Sequence, residues 1–174
     1  EWLQTEWPNL EVFLTSVTEQ WSVISISGPK SRQILNELNC NINFSNKSFP
    51  FMTFKEGKIE QIPVRIFRIS FTGELSFEIN VSSRFGLFVW EKILKIGSKY
   101  ELMPYGTESM HVLRAEKGFI IAGQETDGSV NPIDLGMNWI VSKKKNDFLG
   151  KKSLSISSSL KNRKQLVGIL TDNP

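Results

Sequence analysis

The sequence predicts an α+β fold, a mainly antiparallel sheet with flanking helices. Strand-like runs with period-2 alternation cluster around short turn dipeptides. The helical stretches follow them without a strict strand–helix–strand rhythm. No internal repeat is present.

Taken in order, residues 1–4 (Glu1-Trp2-Leu3-Gln4) look like the inside of a helix. Residues 21–27 alternate and are rich in β-branched side chains, which marks a strand. Gly28-Pro29 starts a helix with Pro29 at its first position, where the missing N–H costs nothing, and Ile34, Leu35 and Leu38 form its apolar stripe. Residues 39–50 are polar and turn-rich and read as loop. Short strands are expected at 51–54 and 58–62 around Glu56-Gly57, a turn dipeptide. Residues 64–71 and 75–81 form an antiparallel pair, with Thr72-Gly73-Glu74 as the connection. Ser83 is placed to cap a helix over 84–96 that ends at Gly97, with Phe85, Phe88, Val89, Ile93 and Ile96 on its buried stripe. A second helix runs from Thr107 to Lys117, with Gly118 just past its end, and carries Met110, Leu113 and Arg114 on one face.

Residues 1–152 are expected to form the main domain, the serine-rich stretch 153–164 a linker, and residues 165–174 the start of a further β domain. Glu at position 1 and the strand-like pattern at the other end suggest a piece of a longer polypeptide.

Composition narrows the chemistry. The 174 residues suffice for one sizeable core. A single cysteine, Cys40, excludes an internal disulfide and a cysteine-rich zinc site, and fits a reducing, cytoplasmic compartment. A single histidine, His111, excludes multi-histidine metal sites and leaves any Ser-His-Asp triad only that residue. A net charge of +3 without a clustered basic face argues against nucleic acid as a partner. No apolar run approaches a membrane span, and no phosphate-binding glycine motif opens a helix.

One acid stands out. In Leu75-Ser-Phe-Glu-Ile-Asn-Val81 the apolar residues alternate with Ser76, Glu78 and Asn80, so Glu78 projects from the face opposite the core. A carboxylate on a hairpin can hold a polar heterocycle by accepting two hydrogen bonds. On this segment alone the alternative is a solvated glutamate on an amphipathic strand. Residues 116–128 form a second unusual run, with three glycines, several acids and Gln124 at a helix exit; its acid spacing does not match a calcium loop. The lysines of 143–164 read as solvated surface, or as attraction for an acidic partner.

These residues resemble a known family. Ser70-Phe-Thr-Gly-Glu-Leu-Ser-Phe-Glu-Ile79 resembles the Y-T-G-E-x-G-[aromatic]-E signature of the glycine-cleavage T-protein (aminomethyltransferase) family. Leu113-Arg-Ala-Glu-Lys-Gly118 with Gly123-Gln-Glu-Thr-Asp127 resembles its L-R-x-E-x-G…G-x-E-x-D run. Leu135-Gly-Met-Asn-Trp139 and Lys145-Asn-Asp-Phe-Leu-Gly-Lys151 resemble its G-L-x-W…K-x-D-F-x-G-K block. Within the family, residues 104–118 look most like the carboxy-terminal region of heterotetrameric sarcosine oxidase α subunits.

The resemblance implies part of an aminomethyltransferase-like folate-binding domain, followed by the start of a C-terminal β-barrel domain. Such a domain passes the one-carbon unit of oxidised sarcosine to tetrahydrofolate, giving glycine and methylene-tetrahydrofolate. The family's pterin-binding glutamate falls on Glu78. Phe71 and Trp139 would pack around the ring, and the loop carrying Gln124 and Glu125 would shape the pocket. Flavin and NAD would lie elsewhere in a complex with other sarcosine oxidase subunits, and this stretch alone would be inactive. Alternatives are a stand-alone aminomethyltransferase, a dimethylglycine oxidase-like enzyme, or a non-catalytic assembly domain.

The sequence departs from the family pattern at four positions. Phe71 replaces the signature tyrosine and Ser76 a glycine. Met110 stands where many members carry a folate-binding arginine, and His111 replaces the following aspartate. The resemblance places the family's catalytic aspartate upstream of the region covered, so no residue here is given that role. The K-G-C motif of the folate-binding relative that supports iron–sulfur enzymes is also missing its cysteine.

Overall fold

The computed structural model describes residues 5–170 and 172, so the helical reading of residues 1–4 lies outside the described residues. The chain divides into two compact units, residues 1–113 and 114–174.

The first unit is built on β1 (Trp21–Ser27), α1 (Ser31–Glu37), β2 (Phe54–Ile59), β3 (Ile62–Phe67), β4 (Ser76–Ser82) and α2 (Gly86–Gly97). The strands form one antiparallel sheet in the order β1-β4-β3-β2. Together with the helices this is the α+β architecture the patterning predicts. Phe77, Ile79 and Val81 of β4 meet Ile24 and Ile26 of β1 and Val64 and Ile66 of β3 in one core, joined by Ile34 and Leu35 of α1 and Val89 and Ile93 of α2. Both helices therefore cover the same face of the sheet. Each fully buried side chain of this size contributes about 1.5–3 kcal/mol.

Several local expectations change. Gly57 lies inside β2, and the turn falls at Glu60-Gln61, with Glu60 at φ 56°. Gly57 is needed for close approach instead: a Cβ there would lie 2.5 Å from Asn41 Oδ1 and 2.6 Å from Ile42 Cγ1. The β3–β4 connection spans 68–75 instead of three residues. Pro29 sits in a turn before α1, because Gly28 adopts φ 115° and delays the helix to Ser31. Residues 39–50 form a loop, as expected, yet Phe44 and Phe49 reach the core, stacking at 6.1 Å from each other and edge-on to Phe77. Phe88 is 44% exposed, off the buried stripe of α2.

α3 (Thr107–Lys117) runs through the boundary between the units and buries none of its residues fully. In the second unit α4 (Lys151–Ser158) covers much of the stretch expected to be linker, and Asn131 Nδ2 donates to Ser157 Oγ at 3.0 Å. Polar ties dominate this unit. Arg163 donates from two nitrogens to the buried Asp134 carboxylate and from Nη2 to Ser129 O at 3.0 Å, and Leu166 N–H donates to Asp134 O at 2.9 Å.

Candidate functional site

The sheet's second face is open. Across it, Glu78 of β4 stands in register with Ser25 of β1 on one side and Phe67 of β3 on the other. Residues opposed in this way share a face with Cβ atoms about 5 Å apart. Phe67 stacks on Phe54 at 5.4 Å, and Arg65 lies over both Trp21 and Phe54 while donating twice to Glu56 Oε1. The guanidinium and rings on this face are thus held by one another.

Glu78 is not. It is half-buried, and among the described residues its carboxylate forms no hydrogen bond or ion pair. Burial without a donor raises its pKa above the ordinary glutamate value. Beside it runs a chain of hydroxyls: Tyr105 OH donates to Ser27 Oγ at 3.2 Å, Ser27 Oγ to Ser76 Oγ at 2.9 Å, and Ser25 Oγ lies 3.4 Å from Ser76 Oγ. Ser25, Ser27 and Tyr105 were not among the sequence candidates. The only signal for the two serines was their alternation with isoleucine and valine in β1, and Tyr105 stood out only as part of the 104–118 run.

The connection ahead of β4 carries Phe71, 38% exposed, between Ser70 and Thr72, whose hydroxyl oxygens are buried without a partner. Phe71 meets His111 edge-on at 6.5 Å. Structure therefore brings Glu78 and Phe71 into one unit.

Gln124, Glu125 and Trp139 belong to the other. There the acid and amide already have donors: Arg114 Nη1 donates to Glu125 Oε1 at 2.5 Å, Arg114 Nη2 to Gln124 Oε1 at 2.7 Å, and Ile121 N–H to Glu125 Oε2 at 2.8 Å. The Ile121 amide and then the Arg114 guanidinium hold the Glu125 carboxyl below its usual value, opposite to Glu78. Trp139 is 70% exposed. Among the described residues no cluster of histidine, cysteine, aspartate and glutamate could hold a metal ion, and no helix is long and apolar enough to cross a membrane.

A free, desolvated carboxylate on an aromatic- and hydroxyl-lined sheet is suited to a flat ligand that presents N–H donors. Residues 1–145 match the family described as the GCVT N-terminal domain, and the chain belongs to it. Over 98% of its length it is 52% identical to the sarcosine oxidase subunit alpha of Corynebacterium sp. (strain P-1), covering 18% of that protein. It is 31% identical over 94% of its length to the mitochondrial dimethylglycine dehydrogenase of Mus musculus, covering 19% of it. It is also 27% identical over 88% of its length to the aminomethyltransferase of Thermotoga neapolitana, covering 41% of it. The chain thus spans under a fifth of the length of the sarcosine oxidase subunit it matches.

Proposed function

We propose that the first unit binds tetrahydrofolate on its open sheet face. In this reading it serves a sarcosine oxidase-like enzyme by taking up the one-carbon unit of an oxidised N-methyl amine. The observation that carries this is the Glu78 carboxylate, half-buried and without an intramolecular donor. The fit is physical. A raised carboxylate pKa and two orphaned hydroxyls, on Ser70 and Thr72, mark groups that gain from a polar ligand.

Glu78 would accept from the pterin amino group and a ring N–H together, which fixes the ring's orientation. Phe71 would pack beside the ring, and the exposed hydroxyl of Ser25 would give its polar edge a second anchor. Tetrahydrofolate, when bound, supplies the nitrogen that accepts the one-carbon unit. The protein's own part is to bind, orient and shield. Flavin and NAD sites, partner subunits and a cytoplasmic setting belong to the rest of this reading. The partner subunits follow from the printed name of the relative, a subunit alpha.

Isothermal titration of the complete polypeptide with tetrahydrofolate, wild type against Glu78→Ala, tests the proposal. Loss of a bidentate charged contact is expected to cost about 1.5–3 kcal/mol, roughly ten- to hundredfold in affinity. Unchanged affinity removes Glu78 from the site. Trp139→Ala in the same titration tests the family-based candidate in the second unit.

A second reading, a folate-free assembly domain, is favoured by Met110, which stands at the family's arginine position. A complex that oxidises sarcosine yet binds no folate would establish it.

A further inference from the structure

The arginines of this protein are not held alike. Arg65 has Glu56, Arg114 has Glu125 and Arg163 has Asp134. Arg32, at the start of α1, and Arg68, just after β3, have no carboxylate partner among the described residues. Arg32 Nε donates to Phe44 O at 2.7 Å, and Arg68 Nη1 to Phe49 O at 3.0 Å. Both also donate to one neutral oxygen, Asn46 Oδ1, Arg32 through Nη2 and Arg68 through Nη1 at 3.3 Å.

Two like charges are thereby gathered at one place. Each guanidinium lies against the Phe77 ring, 5.8 Å and 5.4 Å from its centroid, and both side chains are half-buried. Burial, and then the charge of Arg32, lowers the Arg68 pKa, the mark of a repulsion that nothing nearby relieves. The surrounding sequence adds cations only: residues 38–55 include Lys47 and Lys55 and no aspartate or glutamate. Arg32 Nη1 and Arg68 Nε and Nη2 have no acceptor among the described residues, and unlike Arg114 Nε they are open to solvent.

We propose that Arg32 and Arg68 form a binding site for a small oxyanion, a phosphate or a carboxylate, taken between the two guanidiniums beside Asn46. A planar fork of N–H donors matches either group through paired, charge-assisted hydrogen bonds. The carbonyls of Phe44 and Phe49 already hold both forks in place, so little side-chain freedom is lost on binding. The exposed amide of Asn46 marks the spot, a neutral oxygen between two cations that a negative oxygen would pair better. Phe77 and Glu78 project from opposite faces of β4, so this site lies on the other side of the sheet from Glu78. The inference does not depend on folate binding.

Hydrogen exchange of residues 44–49 in the complete polypeptide tests it, with inorganic phosphate and acetate as probes against chloride at matched ionic strength. Saturable protection is expected, about tenfold when the probe is at roughly ten times its dissociation constant, with β4 unchanged as the internal reference. The stronger probe identifies the source, a phosphoryl or a carboxylate ligand. Asn46→Asp, a substitution at an exposed position, sets a carboxylate against both arginines. It is expected to slow exchange without any probe and to abolish the response. No saturable response to either probe in the wild type overturns the proposal. So does an Asn46→Asp variant that exchanges faster or still responds, which would leave the arginines only their bracing of the loop.

Discussion

The two units are held together by different forces, and the contrast bears on where binding chemistry resides. Every buried apolar side chain of the core cluster lies between Ile24 and Ile93, in the first unit. In the second, the buried residue among those described is Asp134, and the local order comes from Arg163 on Asp134 and Arg114 on Glu125 and Gln124. The apolar platform leaves the Glu78 carboxylate half-buried and without a donor of its own among the described residues. A polar scaffold uses its carboxylates to hold itself together.

Breaking that contrast should give graded effects. Phe77→Ala removes the ring on which Phe44 and Phe49 pack and is expected to cost about 3–5 kcal/mol of first-unit stability in urea unfolding. A cost below 1 kcal/mol would mean the core is not closed around it. Gly57→Ala, which drives a methyl into Asn41 and Ile42, is expected to cost about 1–3 kcal/mol in the same measurement.

Acid should separate the units. Asp134 has its pKa lowered, chiefly by Arg163, so its stabilisation is complete above the ordinary aspartate range and lost as pH falls through the lowered value. Glu78 runs the other way. Its pKa is raised, so the cost of its ionisation is full above that raised value and disappears once pH falls below the ordinary glutamate range. Hydrogen exchange during acidification should show the segments around Asp134 and Arg163 opening while the sheet stays protected. Arg163→Met should open the same segments at neutral pH. The smallest effect is expected for Glu78→Gln, a gain under about 1 kcal/mol at neutral pH, since the site is partly screened by solvent. A clear loss of stability would show that the acid serves the fold.

Much of the platform was legible from the chain. The alternation in β4 gave both the buried set Phe77, Ile79 and Val81 and the opposite face of Glu78, because period-2 patterning is a local signal. Non-local causes were not legible. Gly57 looked like a turn residue, but it is small because Asn41 and Ile42 approach it from elsewhere in the sequence. Phe44 and Phe49 sat in a polar stretch that hid their burial. The serines of β1 gained meaning only once the register set Ser25 beside Glu78. Arg114 made the acid and amide of the glycine-rich loop into structural partners, which motif spacing alone could not reveal.

The most direct test follows the Glu78 proton. Tetrahydrofolate affinity of the complete polypeptide should be measured from neutral pH down through the raised glutamate pKa, in wild type and Glu78→Gln. Ligand donors stabilise the ionised carboxylate, so wild-type affinity is expected to fall as acid protonates it, while the weaker Gln variant lacks that component. Equal affinities with superimposable pH profiles would contradict the account.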